Sequence, residues 1–117
     1  MPLIVRYPTE IKPGSVNEKL VMNIDFGPTM LDFAGVPIPK PMQGVSFRPL
    51  LQSKSPKDWR KAIFYAYYAR APMHWGIRTE RHKLIRFPHV DSFEFYDLQK
   101  DPHEMKDASA EAGYSEI

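Results

Sequence analysis

Cysteine is absent from the 117-residue chain. That excludes disulfides, thiolate metal sites and cysteine nucleophiles, and it leaves the compartment undetermined. No apolar run approaches the length of about 18 residues that a membrane-spanning helix needs. The first residues, Met1-Pro2-Leu3-Ile4-Val5-Arg6-Tyr7-Pro8, carry no charged segment followed by an apolar stretch and a small-residue cleavage site, so they are not read as a signal peptide. Charge of one sign is scarce too: 16 Lys and Arg are offset by 14 Asp and Glu, a net charge of +2. A concentrated basic face for phosphate contacts is missing, which argues against a nucleic-acid partner. No glycine-rich phosphate loop is present, and Gly44-Val45-Ser46 lacks the second glycine of a nucleophile elbow.

What is present is a globular composition, with 43% hydrophobic, 13% aromatic and 26% charged residues. Its length suits one modest core. Twelve prolines punctuate the chain, most of them in the first half, and exclude long helices there. Leu3–Tyr7 reads as a strand, followed by a turn at Pro13-Gly14. From Asn23 onward the apolar residues Ile24, Met30, Leu31, Phe33 and Ala34 fall at helical spacing. Asp25 or Asn23 is placed to cap that helix, Pro28 suits its first turn, and Gly35 suits a left-handed stop. Gly44–Leu51 offers a second short helical piece, limited by Pro49. The polar stretch around Ser53–Lys57 reads as a linker, giving segments 1–55 and 56–117.

The second segment changes texture. Ala62–Ala69, Trp75–Thr79, Lys83–Phe87 and Phe93–Leu98 have strand character, and Glu80-Arg81-His82 forms a polar turn between the middle two. Four adjacent strands predict an antiparallel sheet, hence an α+β fold. Such a sheet needs a cover, and Glu104–Ile117 is polar, Ala-rich and weakly amphipathic, a covering helix cut short. One sheet face is then expected to be poorly covered and prone to association.

The four histidines, His74, His82, His89 and His103, are eight, seven and fourteen residues apart, so no two share a helical face as metal ligands do. No metal ligand is assigned. His82, His89 and His103 read as surface or loop residues. His74 stands apart, at the start of a strand beside Trp75 and Gly76 and after Pro72, where loop residues carry function. It reads as a binding residue or as a histidine bonded within its loop. Arg78, Arg81, Lys83 and Arg86 make the hairpin basic, suited to a sulfated or carboxylated sugar or else simply solvated. Tyr65, Tyr67 and Tyr68 read as sheet packing rather than sugar stacking. Asp97 and Asp101 read as turn chemistry rather than as a catalytic pair. No catalytic residue is assigned.

A set of ordered phrases adds to this reading. They are Met1-Pro2-Leu3-Ile4-Val5-Arg6-Tyr7-Pro8, then Asn23-Ile24-Asp25-Phe26-Gly27-Pro28-Thr29-Met30-Leu31-Asp32-Phe33-Ala34-Gly35, then Met42-Gln43-Gly44-Val45-Ser46 with Pro49-Leu50-Leu51. Gly76-Ile77-Arg78-Thr79 with Lys83-Leu84-Ile85 follows, and then Glu94-Phe95-Tyr96-Asp97-Leu98-Gln99-Lys100-Asp101-Pro102-His103-Glu104. In this order the chain resembles the C-terminal third of formylglycine-dependent (type I) sulfatases, in the alkaline-phosphatase-like superfamily.

The resemblance implies that residues 1–55 complete a large α/β domain, and that 56–117 form a small C-terminal subdomain with an antiparallel sheet. It implies a parent enzyme, periplasmic or secreted, that hydrolyses sulfate esters on glycans with a formylglycine and a calcium ion. Both would lie upstream, since the Cys/Ser-x-Pro-x-Arg motif that generates formylglycine is missing here. This chain alone is then expected to be inactive, with the remaining N-terminal sulfatase domain as its partner and a sulfated carbohydrate as substrate. His74 and Arg78, in the phrase His74-Trp75-Gly76-Ile77-Arg78, become candidate substrate-binding residues. A stand-alone carbohydrate-binding or structural module is the alternative.

Overall fold

The computed structural model describes residues 3–114. They divide into two compact units, Met1–Trp59 and Arg60–Ile117.

In the first unit, a 3-10 turn at Asn23–Asp25 runs into α1, Phe26–Phe33. Pro28 lies in the first turn, where a missing N–H leaves no bond unmade. Gly35 ends the helix at φ +67°. Its N–H donates to the Asp32 carbonyl, and the Val36 N–H reaches back to Leu31, so two orphan carbonyls are satisfied. The second helix, α2, spans only Arg48–Leu51. Phe47 and Leu50 form the apolar centre beside α1.

Two expectations need correction here. Leu3–Tyr7 joins no β-ladder among the described residues: a strand exists only with a hydrogen-bonded neighbour, and the described chain supplies none. Asp25 does not cap α1. Its carboxylate instead accepts the Met22 N–H at 2.8 Å and the Val45 N–H at 2.9 Å, tying the segment after Gly44 to the helix entry. Thr29 completes that tie. Its hydroxyl donates to the Asp25 carbonyl at 2.7 Å and accepts from the Phe47 N–H at 3.0 Å, fully buried.

The second unit is an antiparallel sheet in the order β1-β2-β3-β4, made of β1 (Ala62–Tyr67), β2 (His74–Thr79), β3 (His82–Phe87) and β4 (Ser92–Asp97). The α+β class and all four strands agree with the sequence reading, their ends shifting by one or two residues. The tight turn between β2 and β3 is closed by the Thr79 hydroxyl, which accepts the N–H groups of Arg81 and His82.

The expected covering helix is not formed within 104–114. That stretch holds one 3-10 turn, Ala112–Tyr114, and residues 115–117 of the expected helix lie outside the described residues. The stretch runs along the outer edge of β4. The Asp107 carboxylate accepts the Phe95 N–H, and the Ala108 N–H donates to the Phe95 carbonyl. Those bonds tie Asp107 and Ala108 to the β4 backbone, in place of the i→i+4 bonds of a helix.

Candidate functional site

Because side chains alternate across a strand, the register sorts the sheet into two faces. One face exposes Phe64, Trp75, Ile77, Leu84 and Phe93; Phe95 and Asp97 are buried on it, and His82 and Arg86 share it. The other face carries His74, Arg78, Lys83 and Glu94 among its residues, in three rows that cross the strands. They run Ile63, Arg78, Lys83, Tyr96; then Tyr65, Gly76, Ile85, Glu94; then Tyr67, His74, Phe87, Ser92.

His74 sits in an aromatic nest. Its ring stacks on Tyr67 at 5.2 Å and 26°, tilts against Phe87 at 5.4 Å and meets the edge of Tyr65 at 6.1 Å. Nδ1 lies 3.0 Å from the Pro72 carbonyl oxygen. A carbonyl can only accept, so Nδ1 carries the hydrogen and Nε2 of the neutral ring is left as an acceptor. The nest requires Gly76. A Cβ there would stand 2.3 Å from the Tyr65 ring, which lies across the strand at that point. Burial, together with the nearby Glu104 carboxylate, pushes the Tyr65 phenol above its usual pKa.

Arg78 lies four residues from His74 on the same face, roughly 13 Å along the strand. The structure therefore places the two on one surface but not in one contact. Arg78 is 41% exposed and faces Glu104 at 3.6 Å. Lys83 bonds the same carboxylate and lies over the Tyr96 ring. The Tyr96 phenol, part-buried and donating to Glu94 at 2.9 Å, is pushed up to about 12 by desolvation and by that carboxylate.

The basic hairpin is thus not merely solvated, since each of its cations has a carboxylate partner. Arg86 pairs with Asp91 at 3.3 Å, and Arg81 grips Asp97 with Nε and Nη2. Asp97 also accepts from the Tyr114 hydroxyl and the Gln99 N–H, and the Arg81 guanidinium leads in holding its carboxyl far below the usual range. Sequence reasoning missed this cluster because its members are distant in the chain. Its one local signal was an arginine in a two-residue turn.

His82 is a further correction to the surface or loop reading. It lies in β3 with its ring against Phe95 at 5.4 Å and Tyr114 at 6.5 Å, and its buried Nε2 has no hydrogen-bond partner among the described residues. Strand alternation turned it toward Phe95, which a spacing argument aimed at metal ligands could not show. His89 and His103 lie in exposed loops, as read from the sequence.

Among the described residues no group of three or more His, Asp or Glu converges as a metal site would require. Two described serine hydroxyls donate to carboxylates, Ser46 to Asp32 and Ser109 to Asp107; Arg48 also holds Asp32, and backbone N–H groups also hold Asp107. This face thus sets the His74 ring at one end and the Arg78 and Lys83 cations at the other.

The chain matches the family described as N-sulphoglucosamine sulphohydrolase, C-terminal, over residues 1–117. It belongs to that family. The sulfatase resemblance drawn from the ordered phrases is thereby shown. An N-acetylglucosamine-6-O-sulfatase of Bacteroides thetaiotaomicron is 47% identical over 98% of this sulphohydrolase C-terminal chain, which covers 22% of that protein. The N-acetylglucosamine-6-sulfatase of Bos taurus is 46% identical over 57% of the chain, against 12% of its own length. A solved structure of a protein in complex with its substrate, D-glucosamine-2-N,6-O-disulfate, superposes with a TM-score of 0.89 at 45% identity, over 97% of this chain and 24% of that one. The chain thus spans about a fifth of the length of the first curated relative.

Proposed function

We propose that this chain is the substrate-facing C-terminal part of a sulfuric ester hydrolase that acts on sulfated amino sugars. The observation that carries the reading is the match over nearly the whole chain to a sulfatase C-terminal family, with relatives that act on 6-O-sulfated glucosamine or are bound to a disulfated one. Residues 1–55 would complete the large α/β domain of the enzyme and 56–117 its small subdomain.

In this reading the hydrolytic chemistry belongs to the rest of the enzyme. Sulfatases use a formylglycine and a calcium ion, and the residues here fit neither. No Cys/Ser-x-Pro-x-Arg occurs in the sequence, and among the described residues no three His, Asp or Glu side chains group as metal ligands. No step is derived through those groups. The contribution of this chain is recognition: Nε2 of His74 accepts from a sugar hydroxyl, with the ring held by the Pro72 carbonyl and Tyr67. Arg78 supplies positive charge toward an anionic substituent, shared with Glu104.

The test is His74→Ala in the full-length protein that carries this sequence. The ratio kcat/KM for 6-O-sulfated glucosamine is expected to fall about 10- to 100-fold, the worth of one or two hydrogen bonds, while a small aryl sulfate is turned over almost as before. Equal losses on both substrates would refute a sugar contact. Release of sulfate from an aryl ester by the 117-residue chain alone, with metals removed, would refute the placement of the chemistry elsewhere.

A further inference from the structure

The sheet has two edges, and the chain treats them differently. The β4 edge is occupied by its own residues, through Asp107 and Ala108 bonded to the Phe95 backbone. Among the described elements, β1 packs against β2 alone.

The usual devices that blunt an open edge are missing from β1. Its sequence, Ala-Ile-Phe-Tyr-Ala-Tyr, contains no charge, proline or glycine. Its ladder with β2 runs unbroken from Ala62 opposite Thr79 to Tyr67 opposite His74, so no bulge twists the edge away. Phe64, in the middle of it, is 62% exposed. Six uncharged residues, four of them of high β-propensity, on a straight edge form a template for another strand.

We propose that this edge pairs with the same edge of a second copy of the chain, antiparallel about a two-fold axis normal to the sheet at Phe64. One continuous sheet of eight strands results, four from each copy. Such an axis keeps every side chain on its own face, so opposing residues must share a face. With the axis at Phe64, Phe64 meets its own copy, Ala62 meets Ala66, Ile63 meets Tyr65, and Lys61 meets Tyr67.

That register is self-complementary. The lysine falls on an exposed tyrosine ring, a favourable cation–π pair, and the exposed apolar faces of the two copies join in one plane. The second copy is therefore the occupant, and an unrelated extended peptide has no comparable match.

The absence of native cysteine makes the register directly testable. Directly opposed residues of an antiparallel pair have Cα atoms about 4.5–5.5 Å apart, inside the range that a disulfide spans. Under mild oxidation, Phe64→Cys is expected to form a covalent dimer. Ala62→Cys and Ala66→Cys should each stay monomeric alone and cross-link when mixed.

In sedimentation equilibrium the unmodified chain should move from monomer toward twice that mass as concentration rises. Phe64→Lys and Phe64→Glu should each weaken the dimer at least about tenfold, and an equimolar mixture should restore it. Circular dichroism at low concentration checks that each variant keeps its sheet. A monomer at every concentration, cross-linking of Ala66→Cys alone in preference to Phe64→Cys, or a dimer indifferent to Phe64→Lys would each overturn the proposal.

Discussion

The Gly76–Tyr65 contact lends itself to a double-mutant cycle, because it couples two strands of the candidate site through a single clash. In Gly76→Ala the new Cβ would stand 2.3 Å from Tyr65 Cζ, 2.4 Å from its hydroxyl oxygen and 2.5 Å from Cε1. Carbon atoms rest at about 3.5–4.0 Å, so the ring must retreat by more than about 1 Å. Overpacking of this kind costs about 1–3 kcal/mol, and the low end applies because a half-buried ring can lift toward solvent. Tyr65→Ala alone removes the ring from the strand and costs roughly 1–2 kcal/mol, about half the worth of a fully buried aromatic.

In the double variant nothing remains to clash. Alanine is also the better strand residue by about 0.5–1 kcal/mol, since glycine loses more freedom on folding. The pair should therefore cost no more than Tyr65→Ala by itself, a coupling of about 1–3 kcal/mol in the direction of rescue. Urea unfolding read by the fluorescence of Trp75, in a Trp59→Phe background so that the signal comes from the sheet unit, measures all four corners of the cycle. Additive costs, agreeing within about 0.5 kcal/mol, would refute the contact.

Other outcomes follow from the same coordinates. Thr29→Val leaves the Phe47 N–H and one acceptor of the buried tie unpaired and should cost about 2–3 kcal/mol. Thr29→Ser keeps the hydroxyl and should cost only about 1 kcal/mol, so the reverse order in chemical denaturation would refute the tie. Gly44→Ala drives a Cβ to 2.0 Å from the Ile24 carbonyl oxygen, which is backbone and cannot swing away. It should cost about 3 kcal/mol or more by thermal melting, whereas Gly113→Ala, with nothing within 4 Å, should be near neutral. Asp97 has a depressed folded pKa, so its stabilisation is complete above the ordinary value of 3.8 and is lost as pH falls through and below it. The stability gap between the unmodified chain and Asp97→Asn should close on acidification below that value, and a gap that holds constant down to pH about 2 would exclude the Arg81 grip.

The local features of this protein were determined by its sequence. The entry at Pro28, the exit at Gly35, the four strands and the turn at Glu80-Arg81 each depend on a few neighbouring residues whose backbone preferences act over one turn or one pair. The ordered phrases added the family. The tertiary structure decided what depends on partners far along the chain. Asp25, placed by the sequence to cap a helix, reaches 20 residues on to Val45 because the fold brings that N–H within 2.9 Å of its carboxylate. Arg81 binds Asp97 across a strand pair, and His82 turns inward because strand alternation faces it toward Phe95. Leu3–Tyr7 has strand chemistry but no ladder among the described residues, and 104–114 gives up its helix for bonds along the β4 edge. Composition carries preference for a conformation. Only register and proximity decide which hydrogen-bond partners are within reach, and a buried polar group goes where its partner is.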